Sequence, residues 1–200
     1  WRFAETLDVC RRDFNTVESL MNEFPDFKFS QSQAAVYQAM QQQYPQVFRQ
    51  IERRVRQGRW DVTAATWVEG DLNTAAGEAL ARHLLYSRRY MLQQFQQAPL
   101  VGWEPDTFGH PATVPQLWQK SGIPYYYSCR AGKENTPLFW WEAPDGSRLL
   151  AVSDPLGYGG DILPTPVIDG LLAFSQGGKS KQGLYVYGVG DHGGGATRPA

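Results

Sequence analysis

Two hundred residues suit one domain with a real core, since domains usually run about 100 to 200 residues. Lys and Arg number 19 against 20 Asp and Glu, a net charge of −1, so the chain carries no electrostatic footprint for nucleic acid or an anionic membrane. No apolar run approaches the roughly 20 residues of a membrane span, and no charged-then-apolar leader opens the chain.

In chain order, apolar residues recur at helical spacing over residues 3–24 (Phe3, Leu7, Val9, Cys10, Phe14, Val17, Leu20, Met21), with Arg11, Arg12, Asp13 and Glu18 expected on the wet face. Pro25 ends that helix. FKFSQS, residues 27–32, alternates like a short strand. Residues 33–57 read as helix broken at Tyr44-Pro45, because proline lacks a donor and disfavours helix at the residue before it. Gly58 follows as a stop, and residues 59–68 are β-branched and aromatic enough for a second strand. Residues 74–97 form the longest helical pattern, with Ala79, Leu80, Leu84, Met91, Leu92 and Phe95 inward and Arg82, Arg88, Gln93 and Gln96 outward.

Pro99 stops it. A strand over 99–103, a short helix over 114–121 closed by Gly122, and a strand over 124–129 come next. Residues 138–143 and 148–153 flank Pro144-Asp145-Gly146, a hairpin turn signal. A Gly/Pro-rich stretch over 154–166 leads to another short helix and to a last strand over 183–188. Strands alternating with helices predict a parallel sheet or barrel of βα units.

On this reading the unusual sequences fall at the carboxyl ends of successive strands: WVEGDLN, EPDTFGH, SCRAG and GVGDHGGG. That edge is where α/β sheets and barrels bind ligands, so Asp71, Asp106, Arg130 and Asp191 are expected to converge on one mouth. Two carboxylates facing one pocket are what glycosidic bond hydrolysis needs, and Asp106 with Asp191 is the best pair. Each residue also has a plainer use. Asp106 could be an Asx-turn residue, Glu69 and Asp71 loop or helix-capping acids, Arg130 a counter-ion, and the Gly-rich run around Asp191 a solvent-exposed turn. His83, His110 and His192 form no compact metal spacing, and Trp140-Trp141 fits hairpin core better than a sugar platform. Cys10 and Cys129 make no ligand pair and read as free thiols in a reducing, cytoplasmic setting.

RFAETLDVCRRDF, FKFSQSQAAVYQ, WVEGDLNTAAGEALARHLLYSRRY, EPDTFGHPATVPQLWQKSGI and YGVGDHGGGATR, in that order, resemble the amino-terminal catalytic domain of family 38 glycoside hydrolases, the class II α-mannosidases. The resemblance spans essentially the whole chain. It implies an irregular parallel β/α barrel of about seven strands, incomplete in residues 1–200, which begin without methionine and stop just after a Gly-rich turn.

It also implies a retaining α-mannosidase acting on mannose-containing oligosaccharides, with Asp106 as nucleophile and zinc ligand and Asp191 as acid/base. Arg130 and Tyr158 would contact the sugar. The cofactor would be Zn²⁺, whose remaining ligands, in an H-x-D and an H-D motif, lie outside this chain. The 200 residues alone are therefore expected neither to bind zinc well nor to turn over, and a homo-oligomeric parent is compatible with the resemblance. Rival readings are a metal-dependent polysaccharide deacetylase-like enzyme and a catalytically inactive carbohydrate-binding domain.

Overall fold

A computed structural model describes residues 2–131, 136–154, 156–177, 182–188 and 196. The first helix, α1 (Phe3–Glu23), lays Phe14, Val17 and Met21 inward as its period requires. Glu18 departs from the expected wet face. It is buried because Arg54 crosses from the third helix and grips it in fork geometry, Nε to Oε2 and Nη2 to Oε1 both at 2.9 Å. The proline break is as read: α2 (Ala34–Gln43) ends and α3 (Pro45–Arg56) starts with Pro45 in its first turn, where a missing N–H is harmless.

Strands β1 (Phe29–Gln31) and β2 (Trp60–Val62) pair in parallel, Phe29 opposite Trp60. Their aromatics, with Phe14, Tyr37, Phe48 and Phe95, form one core between α1, α2, α3 and α4 (Gly77–Phe95). The buried stripe of α4 is Leu80, Leu84, Ser87, Met91 and Phe95, joined by Tyr90. Leu92 lies one residue, about 100°, off that stripe and is exposed, against expectation.

The second sheet runs β3 (Val101–Trp103), β4 (Tyr125–Ser128), β6 (Arg148–Ser153), β5 (Leu138–Glu142). β3, β4 and β6 are parallel, while β5 adds antiparallel through the hairpin at Asp145-Gly146, whose glycine takes φ +82°. Its core is packed by α5 (Val114–Lys120), with Trp118 fully buried against Tyr126. Gly102, in the middle of β3, lets this strand lie directly on that helix: a Cβ there would stand 2.4 Å from Trp118 Nε1.

The architecture is α/β, as read; among the described residues six strands make a two-stranded and a four-stranded sheet, and the seven-stranded barrel is not shown. An isolated bridge from Ala64 to Gly102 links the two sheets. The second strand is shorter than its sequence pattern suggests. The segment expected as the last strand makes a single bridge, Gly188 with Gly160, after α6 (Pro164–Gly177), with no neighbouring strand to carry a ladder among the described residues. Among the described residues no helix is long and apolar enough to cross a membrane.

Candidate active site

The sheet delivers its unusual residues to one edge, as parallel strands must when read from the same end. After Trp103, Glu104 keeps the ladder going by donating its N–H to Tyr127 O at 3.1 Å. Period-two parity puts Glu104 on the same face as Gly102, so its side chain turns inward and is completely buried. Its two oxygens accept from Thr66 Oγ1 at 2.9 Å and Thr107 Oγ1 at 3.1 Å. Burial, with Glu69 close by, pushes its carboxyl up to about 8.

Two residues on, where the chain bends after Pro105 and strand parity no longer applies, the Asp106 side chain is about half exposed. Arg130, just past the end of β4, gives both Nε and Nη2 to Asp106 Oδ1, at 3.1 and 2.6 Å. The pair is 41% and 47% exposed, so it is held by geometry more than by energy: exposed pairs contribute about 0–1 kcal/mol. The Arg130 guanidinium also lies 4.2 Å over the Phe108 ring. Tyr158, in the loop after β6, lines the same cavity as Asp106 and lies close enough to Asp106 and Arg130 to feel both, and burial together with the Asp106 carboxylate raises its phenol above its usual range. Asp106, Arg130 and Tyr158, from three strand ends, thus meet at one place.

The loops beneath them interlock. Glu69 Oε1 accepts the Asp106 backbone N–H at 2.6 Å, and Thr107 Oγ1 lies 3.2 Å from Gly70 O. Gly109 presses so closely on the facing loop that a Cβ there would meet Asn73 Nδ2 at 2.4 Å and Asp71 Oδ1 at 2.6 Å. Burial raises the Glu69 carboxyl, and the neighbouring Asp106 charge adds to that shift. Asp71 Oδ1 accepts the Asn73 N–H at 2.9 Å in an Asx turn that packs against the loop of Asp106 at Gly109.

His110 ties the Asp106 loop to the Arg130 loop. Its Nε2 faces Thr107 O at 3.0 Å, and a carbonyl only accepts, so that nitrogen carries the proton and Nδ1 accepts from Tyr126 OH at 2.8 Å. Burial lowers its pKa. With both nitrogens occupied it is no metal ligand. Ser128 Oγ, 3.2 Å from the same Nε2, accepts the N–H groups of Arg130 and Ala131. Asp154, at the end of β6, holds the start of the Tyr158 loop by accepting from Tyr127 OH and Leu156 N–H, each at 2.9 Å.

Glu69, Asp106 and Tyr158 line an open cavity of about 1080 Å³ that extends past Trp103 and Tyr127, stacked 4.0 Å apart, to β1 and residues 184–188. Asp191, with Gly190 and Gly193 to Gly195 around it, lies outside the described residues. Among the described residues no group of three or more His, Cys, Asp or Glu side chains could hold a metal ion. Asp106 is the one zinc ligand proposed from sequence that falls here, and a single carboxylate does not make a zinc site.

The sequence reading singled out the three meeting residues but passed over Glu104, His110 and Ser128 as parts of the mouth and treated Glu69 as a loop acid. For Glu104 a signal existed: it sits two residues after a glycine on a strand, on the buried face, where an acid needs partners.

A parallel-sheet edge bearing an exposed, arginine-gripped aspartate places the chain among α/β domains with a ligand-binding mouth. The chain matches the model of the glycosyl hydrolases family 38 N-terminal domain over residues 1–200 and belongs to that family. It is 32% identical to alpha-mannosidase G of Dictyostelium discoideum over 205 residues, covering 100% of this chain and 19% of that protein. It is also 32% identical to alpha-mannosidase of Saccharomyces cerevisiae over 207 residues, covering 98% of this chain and 19% of that one. The fold resembles that of an alpha-mannosidase from Enterococcus faecalis V583, with a TM-score of 0.84 at 20% identity, covering 96% of this chain and 23% of that structure. The chain therefore spans about a fifth of the length of these relatives.

Proposed function

We propose that these residues form part of the catalytic domain of a retaining α-mannosidase that removes terminal α-linked mannose from oligosaccharides or glycans. One observation carries the reading: Asp106 stands exposed at a strand's carboxyl end, gripped by Arg130 with Tyr158 nearby, inside a family of glycoside hydrolases.

Asp106 attacks the anomeric carbon while the bond to the leaving oxygen breaks and Asp191 gives that oxygen its proton. A water then passes a proton to Asp191, its oxygen attacks the anomeric carbon, and Asp106 leaves as the carboxylate. Arg130 steadies the Asp106 charge and, with Tyr158, offers donors to sugar hydroxyls. The assignment of Asp191 rests on its G-D motif. Zn²⁺, with Asp106 as one ligand and the rest from outside this chain, rests on the resemblance, and its chemistry would be to grip sugar hydroxyls. The two free thiols support a cytoplasmic setting.

The test is hydrolysis of an aryl α-mannoside by the full-length protein, with and without a strong chelator, and trapping by a fluorosugar. Activity lost to chelator and a label on Asp106 are expected. A folded, zinc-loaded full-length protein that cleaves no α-mannoside would move the reading to the deacetylase or the binding domain.

A further inference from the structure

The two motif loops meet through Glu69. It comes from the loop after β2, and its carboxylate reaches 37 residues along the chain to accept the backbone N–H of Asp106 at 2.6 Å, with Thr107 Oγ1 3.3 Å from the same oxygen. Nothing in β3 itself fixes the direction of Asp106. The ladder ends with Glu104 N–H, Pro105 has no donor, and the next main-chain donor is the one Glu69 takes. The Glu69 side chain is half-buried in the wall of the same open cavity that Asp106 lines. Thr107 is seated from behind by Glu104 and from the side by Gly70 O, and these contacts hold the loop down without touching the Asp106 main chain.

We infer that Glu69 is a positioning residue for the reaction: by taking the Asp106 N–H it sets the angle at which the Asp106 carboxylate leaves the loop toward Arg130 and Tyr158. The inference rests on the reading of Asp106 as nucleophile. What matters on this account is the acceptor oxygen, not the charge. Glutamine, which keeps a carbonyl oxygen at the same reach, supplies it, while methionine of similar length does not. Attack on an anomeric carbon is steep in geometry, since a displacement of about 1 Å at a reacting atom can lower turnover about 100-fold.

In the full-length protein, Glu69→Met is expected to lower kcat for an aryl α-mannoside about 30- to 100-fold with KM within about threefold, and Glu69→Gln to stay within about threefold of wild type in both. Hydrogen exchange across residues 104–110 supplies a reading that needs no turnover: faster in Glu69→Met, unchanged in Glu69→Gln. An unchanged kcat in the methionine variant would overturn the inference. So would a glutamine variant as slow as the methionine one, or equal exchange in methionine variant and wild type. Should the wild-type protein cleave no α-mannoside, the mannosidase reading fails by itself, and the exchange comparison still decides whether Glu69 holds the Asp106 loop.

Discussion

Glu18–Arg54 and Asp106–Arg130 are both carboxylate–guanidinium pairs, and they sit in opposite surroundings. The first is buried, at 9% and 7% exposure, joins α1 to α3, and is braced by further hydrogen bonds with Arg53, Asn22 and Gln57. The second stands 47% and 41% exposed at a cavity mouth, with an aromatic ring and a tyrosine hydroxyl for company. A buried pair that is fully satisfied is fixed in place, and breaking it leaves a charge with nowhere to go. An exposed pair contributes little to stability and can exchange its partner for a ligand. Identical chemistry thus marks architecture in one region and, on the function proposed above, a site in the other.

The comparison breaks if the two pairs respond alike. The largest effect belongs to Asp106→Asn, which should lower kcat in the full-length protein by about 10⁴-fold while moving urea stability by no more than about 0.5 kcal/mol. Arg54→Ala should do the reverse, removing about 3–5 kcal/mol in urea unfolding and leaving the activity of the remaining folded protein unchanged. Arg130→Ala should lower kcat/KM about 10- to 100-fold, a loss of about 1–3 kcal/mol in transition-state binding, with stability again nearly unmoved.

Acid sharpens the contrast further. Arg54 and Arg53 outweigh burial and hold the Glu18 carboxyl below its ordinary range. A depressed folded value means that the stabilisation is present above the ordinary glutamate range and is lost as pH falls through the folded value. Thermal unfolding midpoints should therefore fall more steeply below about pH 4.5 in wild type than in Glu18→Gln. The smallest effect is expected at Lys120–Asp145, an exposed pair beside the hairpin, where Lys120→Ala should change stability by less than about 0.5 kcal/mol.

Local physics made the helices and the hairpin legible in the sequence. The Pro45 break, the Gly58 and Gly122 stops and the Asp145-Gly146 turn follow from single residues, and the mouth followed from where strands end. What stayed hidden depends on partners far away in the chain. Glu18 looked wet until Arg54 arrived from α3, and Ser87, a polar residue on the buried stripe of α4, is satisfied only because its hydroxyl meets Ala64 O. Residues 183–188 have strand composition, but a strand needs a neighbour and composition does not say where that neighbour is. At the mouth, Asp106 and Arg130 could be picked out singly, whereas the service of Glu69, His110 and Ser128 exists only once the loops are folded against one another.

Gly102 shows how far such dependence reaches. The missing side chain there is a spacer of zero thickness between β3 and Trp118, and everything downstream on that strand inherits its height. A methyl group there would collide with Trp118 of α5 and with Tyr126 of β4 at once, so the helix, or the pairing of the two strands that lead to Asp106 and Arg130, would have to give. The alignment of a carboxylate with its guanidinium is thus gauged about a dozen ångströms away, by an atom that the chain leaves out.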